Sequence, residues 1–304
     1  MKKDFICIKD LTAEEIAELF VLTDKLKREK DAYSGLLKGK TLALIFQKPS
    51  NRTRVSFEVG MYQLGGNSIY LSPGEINLGV RETIKDVAKT LSRYVDAIVI
   101  RTFAHNNVLE LAEHASIPVI NGLSDLLHPC QALADIYTIR EKCKKLQGVK
   151  LAYIGDGNNV CHSLLYGCAR VGINIHVATP AGYGPDASVV KEAQALAKDS
   201  GALIKLFRKP QDAVKNADVV YTDVWASMGQ EKEAQKRKKA FKGFQINQEL
   251  LKAAAKDVLI MHCLPAHRGE EITDEVIDSS NSIVFDQAEN RMHVQKAILI
   301  KLLK

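Results

Sequence analysis

Apolar and polar positions switch between a helical and a strand period along the whole chain. Thr12-Ala13-Glu14-Glu15 reads as a capping box, and Ile16, Leu19, Phe20 and Leu26 follow at roughly helical spacing. Thr41–Phe46 is a strand-sized apolar run. A helical pattern then runs from Thr53 to Leu64 and is stopped by Gly65-Gly66. Ala97–Ile100 and Ile117–Ile120 predict two more strands, and Pro129 marks a helix start that Gln131–Lys144 continues. After Gln147-Gly148 the pattern restarts. Val149–Ile154 predicts a strand, Gly155-Asp156-Gly157 a turn and Asn159–Val171 a helix. Ile173–Thr179, Ala202–Leu206, Asp218–Thr222, Asp257–Met261 and Ser282–Phe285 predict further strands, and Gln287–Leu303 predicts a closing helix.

Strand–helix alternation implies parallel sheets with right-handed crossovers. The predicted fold is α/β in two domains, each a parallel β-sheet flanked by helices, dividing near Leu133–Gly148. The expected domains are residues 1–140 and 147–286. At 304 residues, 46% apolar and 26% charged, the chain is neither disordered nor collagen-like nor a disulfide-stapled miniprotein. Its six cysteines form no C-x-x-C pair, which points away from a structural zinc site and toward reduced thiols. No apolar run approaches the ~20 residues that cross a bilayer. The N-terminal stretch lacks the features of a secretory signal or presequence, so the expected location is cytoplasmic, with no membrane partner. The net charge of +6 raises the question of nucleic acid. The densest basic stretch, Lys236-Arg237-Lys238-Lys239, has no aromatic interleaving and reads as a solvated helix or loop, so no nucleic-acid partner is expected. A mild positive excess suits an anionic small substrate.

In doubly wound sheets, ligands bind beyond the carboxyl ends of the strands. Lys48-Pro49-Ser50-Asn51-Arg52-Thr53-Arg54 joins a strand to a helix there. A helix N-terminus, two hydroxyls and two planar cations suit a phosphate cradle, the alternative being an N-cap with surface arginines; no Walker glycines are present. Arg101 ends an apolar strand and reads either as a salt bridge or as a cleft cation. His128-Pro129-Cys130-Gln131 opens a helix, where His128 reads as a capping group or as a donor to a carbonyl, with Gln131 able to bond an amide. Gly155-Asp156-Gly157-Asn158-Asn159 lacks the third glycine and the later acid of a dinucleotide site, so its asparagines read as ligands for a small zwitterion or as turn residues. Asp223 follows a strand and can hold an ammonium, with Ser227, Met228 and Gly229 beyond it in a segment that reads as a mobile loop or an ordinary turn. His262-Cys263-Leu264-Pro265 follows another strand. Neighbouring strand residues point to opposite faces, so His262 is a poor base for the Cys263 thiol.

Ser50-Asn51-Arg52-Thr53-Arg54, His128-Pro129-Cys130-Gln131, Asp223-x-x-x-Ser227-Met228-Gly229 and His262-Cys263-Leu264-Pro265 together resemble the ornithine carbamoyltransferase family, in order and spacing and over essentially the whole chain. The resemblance implies the carbamoyltransferase fold and the conversion of carbamoyl phosphate and L-ornithine to L-citrulline and phosphate. By carry-over, Ser50, Asn51, Arg52, Thr53 and Arg101 hold the phosphate, and Arg101, His128 and Gln131 reach the carbamoyl group. Asn159, Asp223, Ser227 and Met228 hold the amino-acid end of ornithine. Cys263 and Leu264 lie by the δ-amine and the carbamoyl group. Arg291 matches a late carbamoyl-phosphate arginine, and its helix, 287–304, is expected to pack back on the first domain. Arg101, His128 and Cys263 are the implied catalytic residues. Homotrimers, or multiples of them, are implied as well. The commonest family motif has Thr where Asn51 stands, and Glu is frequent at the position of Gln47.

The chemistry asks for no metal and no cofactor. The δ-amine must be neutral to attack, although a free alkylammonium has a pKa of about 10.4, and a desolvated site beside cations lowers it. Negative charge builds on the carbonyl oxygen, where Arg101, His128 and Thr53 stabilise it. Closure of the segment after Ser227 would exclude water. Phosphate leaves readily, so Cys263 is expected to serve as a contact and not as a nucleophile. The rival readings are a carbamoyltransferase for putrescine or N-acetylornithine, a non-catalytic binding module, and a basic nucleic-acid binder.

Overall fold

The structure, a computed structural model, describes residues 3–29, 31–226 and 231–304. The chain forms two compact units, Met1–Ala134 with Glu289–Lys304, and Asp135–Ala288. The division falls inside the helix Pro129–Cys143.

The first unit carries β1 (Thr41–Phe46), β2 (Asn67–Leu71), β3 (Ala97–Arg101) and β4 (Val119–Leu123), all parallel, in the order β2-β1-β3-β4. β3 is buried along its full length, as an inner strand of a sheet covered on both faces must be. Ala43, Ile45, Ile98 and Ile100 pack on Val87 from the helix Ile84–Leu91 and on Val108 and Leu111 from the helix His105–His114. The predicted capping box is present: Thr12 Oγ1 accepts the Glu15 N–H at 3.2 Å and the Glu15 carboxylate accepts the Thr12 N–H at 3.0 Å. It starts the helix Ala13–Arg28. β2 was not anticipated. It is a five-residue edge strand with no fully buried position, and its apolar run is only three residues, Ile69-Tyr70-Leu71.

The second unit carries β5 (Lys150–Ile154), β6 (Asn174–Ala178), β7 (Ile204–Phe207), β8 (Val219–Thr222) and β9 (Leu259–His262), also parallel, in the order β7-β6-β5-β8-β9. The helix Asn159–Val171 has the predicted bounds and ends at Gly172, whose φ of +81° suits glycine. The predicted strand Ser282–Phe285 is corrected. Ser282 makes a single bridge to Ile260, and the closing helix Val284–Leu303 has already begun two residues on. Val284 packs into the core on the helix and Phe285 turns to solvent, so two apolar residues in a row marked a helix start here. The helix's residues from Glu289 onward belong to the first unit.

Each sheet reverses its winding once. In the first unit this happens between β1 and β3, and in the second between β5 and β8. Ligand crevices open at such switch points. Among the described residues, no helix is long and apolar enough to cross a membrane.

Candidate active site

In the first unit the switch point collects cations. Ser50 is the N-cap of the helix Asn51–Gln63, and its Oγ accepts the Thr53 N–H at 3.3 Å. Asn51 is exposed, Arg52 partly buried and Thr53 fully buried. A helix N-terminus directs backbone N–H groups out of its end. Arg101 is the last residue of β3, buried, in register with Phe46 at the end of β1. Arg291, from the closing helix, donates from Nη2 to Thr53 Oγ1 at 2.9 Å. His128 precedes the helix Pro129–Cys143, and its carbonyl accepts the N–H groups of Gln131 and Ala132. Both His128 and Gln131 are buried.

Burial, then the charges of Arg291, Arg101 and Arg52, hold the His128 imidazole well below its ordinary pKa. Arg52, Arg101 and Arg291 therefore all act against a charge on the His128 imidazole. Cys130, next in sequence, is an inert thiol: burial pushes it up to about 12, and it donates to the Asn121 carbonyl at 3.4 Å.

Arg54 fits the alternative of a surface arginine. It is exposed, pairs with Glu58 at 2.9 Å and lies over the Tyr70 ring at 3.7 Å. One turn of helix separates Glu58 from Arg54, and this local pairing takes the side chain. Gln47 is tied into the scaffold: its Nε2 donates to the Leu78 carbonyl at 3.1 Å and its Oε1 accepts from Thr102 and Asn107.

The depressed pKa of His128 has a consequence for stability. As pH falls below the unfolded value of about 6.5, the unfolded chain binds the proton before the folded one does. The stabilisation is complete above that pH and is lost below it. The Tm gap between wild type and His128→Asn is expected to narrow as pH is lowered from about 7 to 5. A gap constant across that range would show that His128 takes a proton in the fold.

In the second unit three strand ends converge. Asp223 directly follows β8 and Cys263 directly follows β9. Asp223 Oδ1 accepts the Val224 N–H at 2.8 Å and the Cys263 thiol proton at 3.0 Å, and Oδ2 accepts from Asn158 Nδ2 at 2.7 Å. Asn158 caps the helix Asn159–Val171. Its Oδ1 accepts the N–H groups of Val160 and Cys161 and the Tyr153 hydroxyl, which leaves its amide N–H₂ for Asp223. Of the two asparagines read as ligands or turn residues, Asn158 is thus a capping residue that orients the acid. Asn159, the first residue of that helix, is partly exposed. Ser227 and Met228 lie outside the described residues.

Gly157 has no room for a side chain, since a Cβ there would meet the Pro185 nitrogen at 2.1 Å. Asp156 beside it forms a buried ion pair with Arg237 at 2.8 Å, and Arg237 also donates to the Trp225 carbonyl at 2.9 Å. Burial, opposed by Arg237, pushes the Asp156 carboxyl up to about 6. The basic stretch is therefore solvated only in part: Lys236, Lys238 and Lys239 are exposed on the helix Ala234–Ala240, while Arg237 points inward. An isolated basic run gives no sign of which member finds a buried acid.

Burial and the Asp223 charge raise the Cys263 thiol well above its ordinary pKa, so it stays S–H. Asp223, His262 and Cys263 bring possible metal-ligand atoms within 4.8 Å of one another. The imidazole offers no lone pair to an ion, however. His262 Nδ1 accepts the Leu264 N–H at 2.8 Å, so Nε2 carries the ring proton and donates to Glu271 Oε1 at 3.1 Å. Leu264 has a φ of +55°, a conformation that costs a non-glycine residue about 1–2 kcal/mol. Beneath this turn, Gln287 Oε1 accepts the His262 N–H at 3.0 Å, and its Nε2 donates to Asp135 at 2.7 Å and to the Tyr221 hydroxyl at 3.2 Å. These supporting residues are buried partners from distant parts of the chain, and nothing in the sequence pattern pointed to them.

Two family models match the chain. Residues 3–141 match the carbamoyl-P binding domain of aspartate/ornithine carbamoyltransferase, and residues 147–302 match its Asp/Orn binding domain. An ornithine carbamoyltransferase of Thermococcus kodakarensis is 56% identical over 299 residues, 98% of this chain and 95% of the relative. The solved ornithine carbamoyltransferase of Pyrococcus furiosus superposes with a TM-score of 0.96 at 55% identity, covering 99% of this chain and 96% of that one. The anabolic ornithine carbamoyltransferase of Campylobacter jejuni gives a TM-score of 0.94 at 39% identity, with 98% of each chain covered.

Proposed function

The chain belongs to the aspartate/ornithine carbamoyltransferase family, and from that premise we propose how its residues divide the reaction. The activity is that of an ornithine carbamoyltransferase: the carbamoyl group of carbamoyl phosphate passes to the δ-amine of L-ornithine, giving L-citrulline and phosphate. The first unit serves carbamoyl phosphate and the second serves ornithine.

The assignment rests on Arg101, His128 and Arg291, all buried, and the partly buried Arg52, whose charges act on the imidazole. Ser50, Arg52, Thr53 and the N–H groups at Asn51 hold the phosphate. Arg291 braces Thr53 from behind and adds charge. Arg101 and His128 donate to the carbonyl oxygen, and Gln131 meets the carbamoyl amide. A neutral imidazole can donate one N–H here, whereas a second proton would face three guanidinium charges. In the second unit Asp223 holds the α-ammonium of ornithine, and Asn159, Ser227 and Met228 take its polar end. Cys263 and Leu264 serve the δ-amine and the carbamoyl group.

The uncharged amine forms a bond to the carbonyl carbon, and negative charge moves onto the oxygen, where Arg101 and His128 stabilise it. Collapse of this tetrahedral intermediate breaks the bond to phosphate, and the nitrogen proton leaves with the phosphate. Cys263, held as a thiol by Asp223, takes no covalent part. Amine-dependent release of phosphate from carbamoyl phosphate is expected with ornithine, as citrulline forms, and not with putrescine, N-acetylornithine or aspartate when the amines are run side by side. Acylation removes the ammonium that Asp223 pairs with, so turnover of N-acetylornithine would overturn the amino-acid half of this reading.

We assign the chain to the cytoplasm, in keeping with its six free cysteines, and to a homotrimer. Val55, Val59 and Tyr62 are exposed along one face of the helix Asn51–Gln63, with Ile69 exposed on the edge strand β2. Such a face suits a second copy of the chain. Sedimentation equilibrium reads the assembly directly, and a monomer at assay concentration would sink the assignment.

A further inference from the structure

We propose that His262 is a positioning residue whose unprotonated Nδ1 sets the backbone of Leu264 for the reaction, with Glu271 fixing the tautomer that makes this possible. The inference rests on the reading above, in which Leu264 serves the δ-amine and the carbamoyl group. His262 and Glu271 are both fully buried. Glu271 Oε1 accepts the His267 N–H at 2.6 Å as well as the His262 Nε2–H. That oxygen is an acceptor from two directions, so the ring nitrogen facing it must carry the proton. The other nitrogen is then a lone pair, and it points at the N–H of the residue two positions on. This bond fixes the plane of the Cys263–Leu264 peptide, from which Leu264 continues at φ +55°.

The arrangement is poorly explained as packing alone. Glu271 Oε2 is buried with no hydrogen-bond partner, a costly feature in a pair that contributed only stability. Apolar residues of similar volume would serve a purely structural pair as well or better. What the pair provides and apolar residues cannot is a directed acceptor for the Leu264 N–H. The ring also joins the turn to its neighbours: Cys263, next to His262, reaches Asp223, and the His262 N–H is held by Gln287. The imidazole therefore sets the geometry of the turn that presents Leu264, without touching substrate.

Two amides separate this role from a structural one, because each reproduces one ring nitrogen. In His262→Asn the side-chain oxygen lies where Nδ1 was and still accepts the Leu264 N–H. The contact to Glu271 is lost. In His262→Gln the side-chain nitrogen lies where Nε2 was and still donates to Glu271. The acceptor for Leu264 is lost. Activity and stability are expected to move in opposite orders. His262→Asn has the lower Tm and keeps most of its kcat. His262→Gln has the higher Tm of the two, and its kcat falls by about 10²-fold, the scale of a misplacement near 1 Å. The dissociation constant for carbamoyl phosphate, read by calorimetry, stays near wild type in His262→Gln, because the phosphate residues belong to the other unit. If kcat follows Tm across the two variants, the proposal is overturned.

A measurement on the wild type needs no variant to fold. Nitrogen NMR of labelled histidines is expected to show Nε2 of His262 carrying the ring proton and Nδ1 bare. An Nδ1–H tautomer or an imidazolium would overturn the proposal. If wild type itself makes no citrulline, the functional reading fails, and the tautomer and the order of the two Tm values still report on the pair.

Discussion

Arg101→Ala is expected to lower kcat for citrulline formation by about 10²–10³-fold, the range seen when one donor to a developing oxyanion is removed. The size follows from where the side chain sits. Arg101 closes a fully buried strand, so its charge acts in a poorly screened environment. Arg101→Lys is expected to recover only part of the loss, because a point charge cannot reproduce a planar pair of donors. The fold should tolerate the change, since the neighbouring cations Arg52 and Arg291 would then repel one fewer charge. Removing Arg101 also lifts one of the influences that depress the His128 pKa, while burial, the largest, remains. His128 therefore stays neutral, and the loss in kcat is expected to be independent of pH near neutrality. A steady-state assay with saturating ornithine checks the prediction. A loss of less than tenfold would mean that Arg101 only braces the site.

The candidate residues that the sequence marks in each unit share one property: their signal is local. Ser50 through Thr53, Arg101, His128, Asp223 and Cys263 all stand at the end of a strand, just past one, or at the start of a helix. A hydrophobic run followed by polar residues marks such places without any tertiary information. The same locality explains the misreadings. β2 carries no buried run because it lies at a sheet edge. Val284 and Phe285 look like a strand end because two adjacent apolar residues fit either period, and only the packing of Val284 decides. Arg54 matches Arg52 in residue type, yet the first pairs with Glu58 and Tyr70 while the second acts on His128. The supporting groups left no trace. Asn158 was seen as a possible ligand, but its role comes from a helix cap that leaves one amide face for Asp223. Arg237, Gln287 and Glu271 are buried polar residues whose partners come from other elements, and spacing cannot reveal such pairs.

Asp223→Asn carries the second large effect. Replacing a buried acid that pairs with an ammonium costs about 2–5 kcal/mol, which is roughly 30-fold to several-thousand-fold in kcat/KM for ornithine. Loss of charge is only part of the reason. Oδ1 of Asp223 accepts from Val224 N–H and from the Cys263 thiol, and Oδ2 accepts from Asn158 Nδ2. An asparagine must place its own N–H₂ at one of these positions, donor against donor, so no rotamer satisfies all three neighbours. If Asp223 holds the α-ammonium in ground state and transition state alike, the loss falls chiefly on KM for ornithine. If instead Asp223 acts through the turn by holding Cys263, the loss falls on kcat with KM unchanged. Cys263 supplies an independent readout. The Asp223 charge is one of the influences that raise its pKa, so in Asp223→Asn the thiol is expected to react faster with an alkylating reagent than in wild type, with burial still restraining it. Faster alkylation together with a raised KM identifies an acid that holds both the thiol and the substrate ammonium. A kcat/KM for ornithine within tenfold of wild type would mean that the ammonium is bound elsewhere.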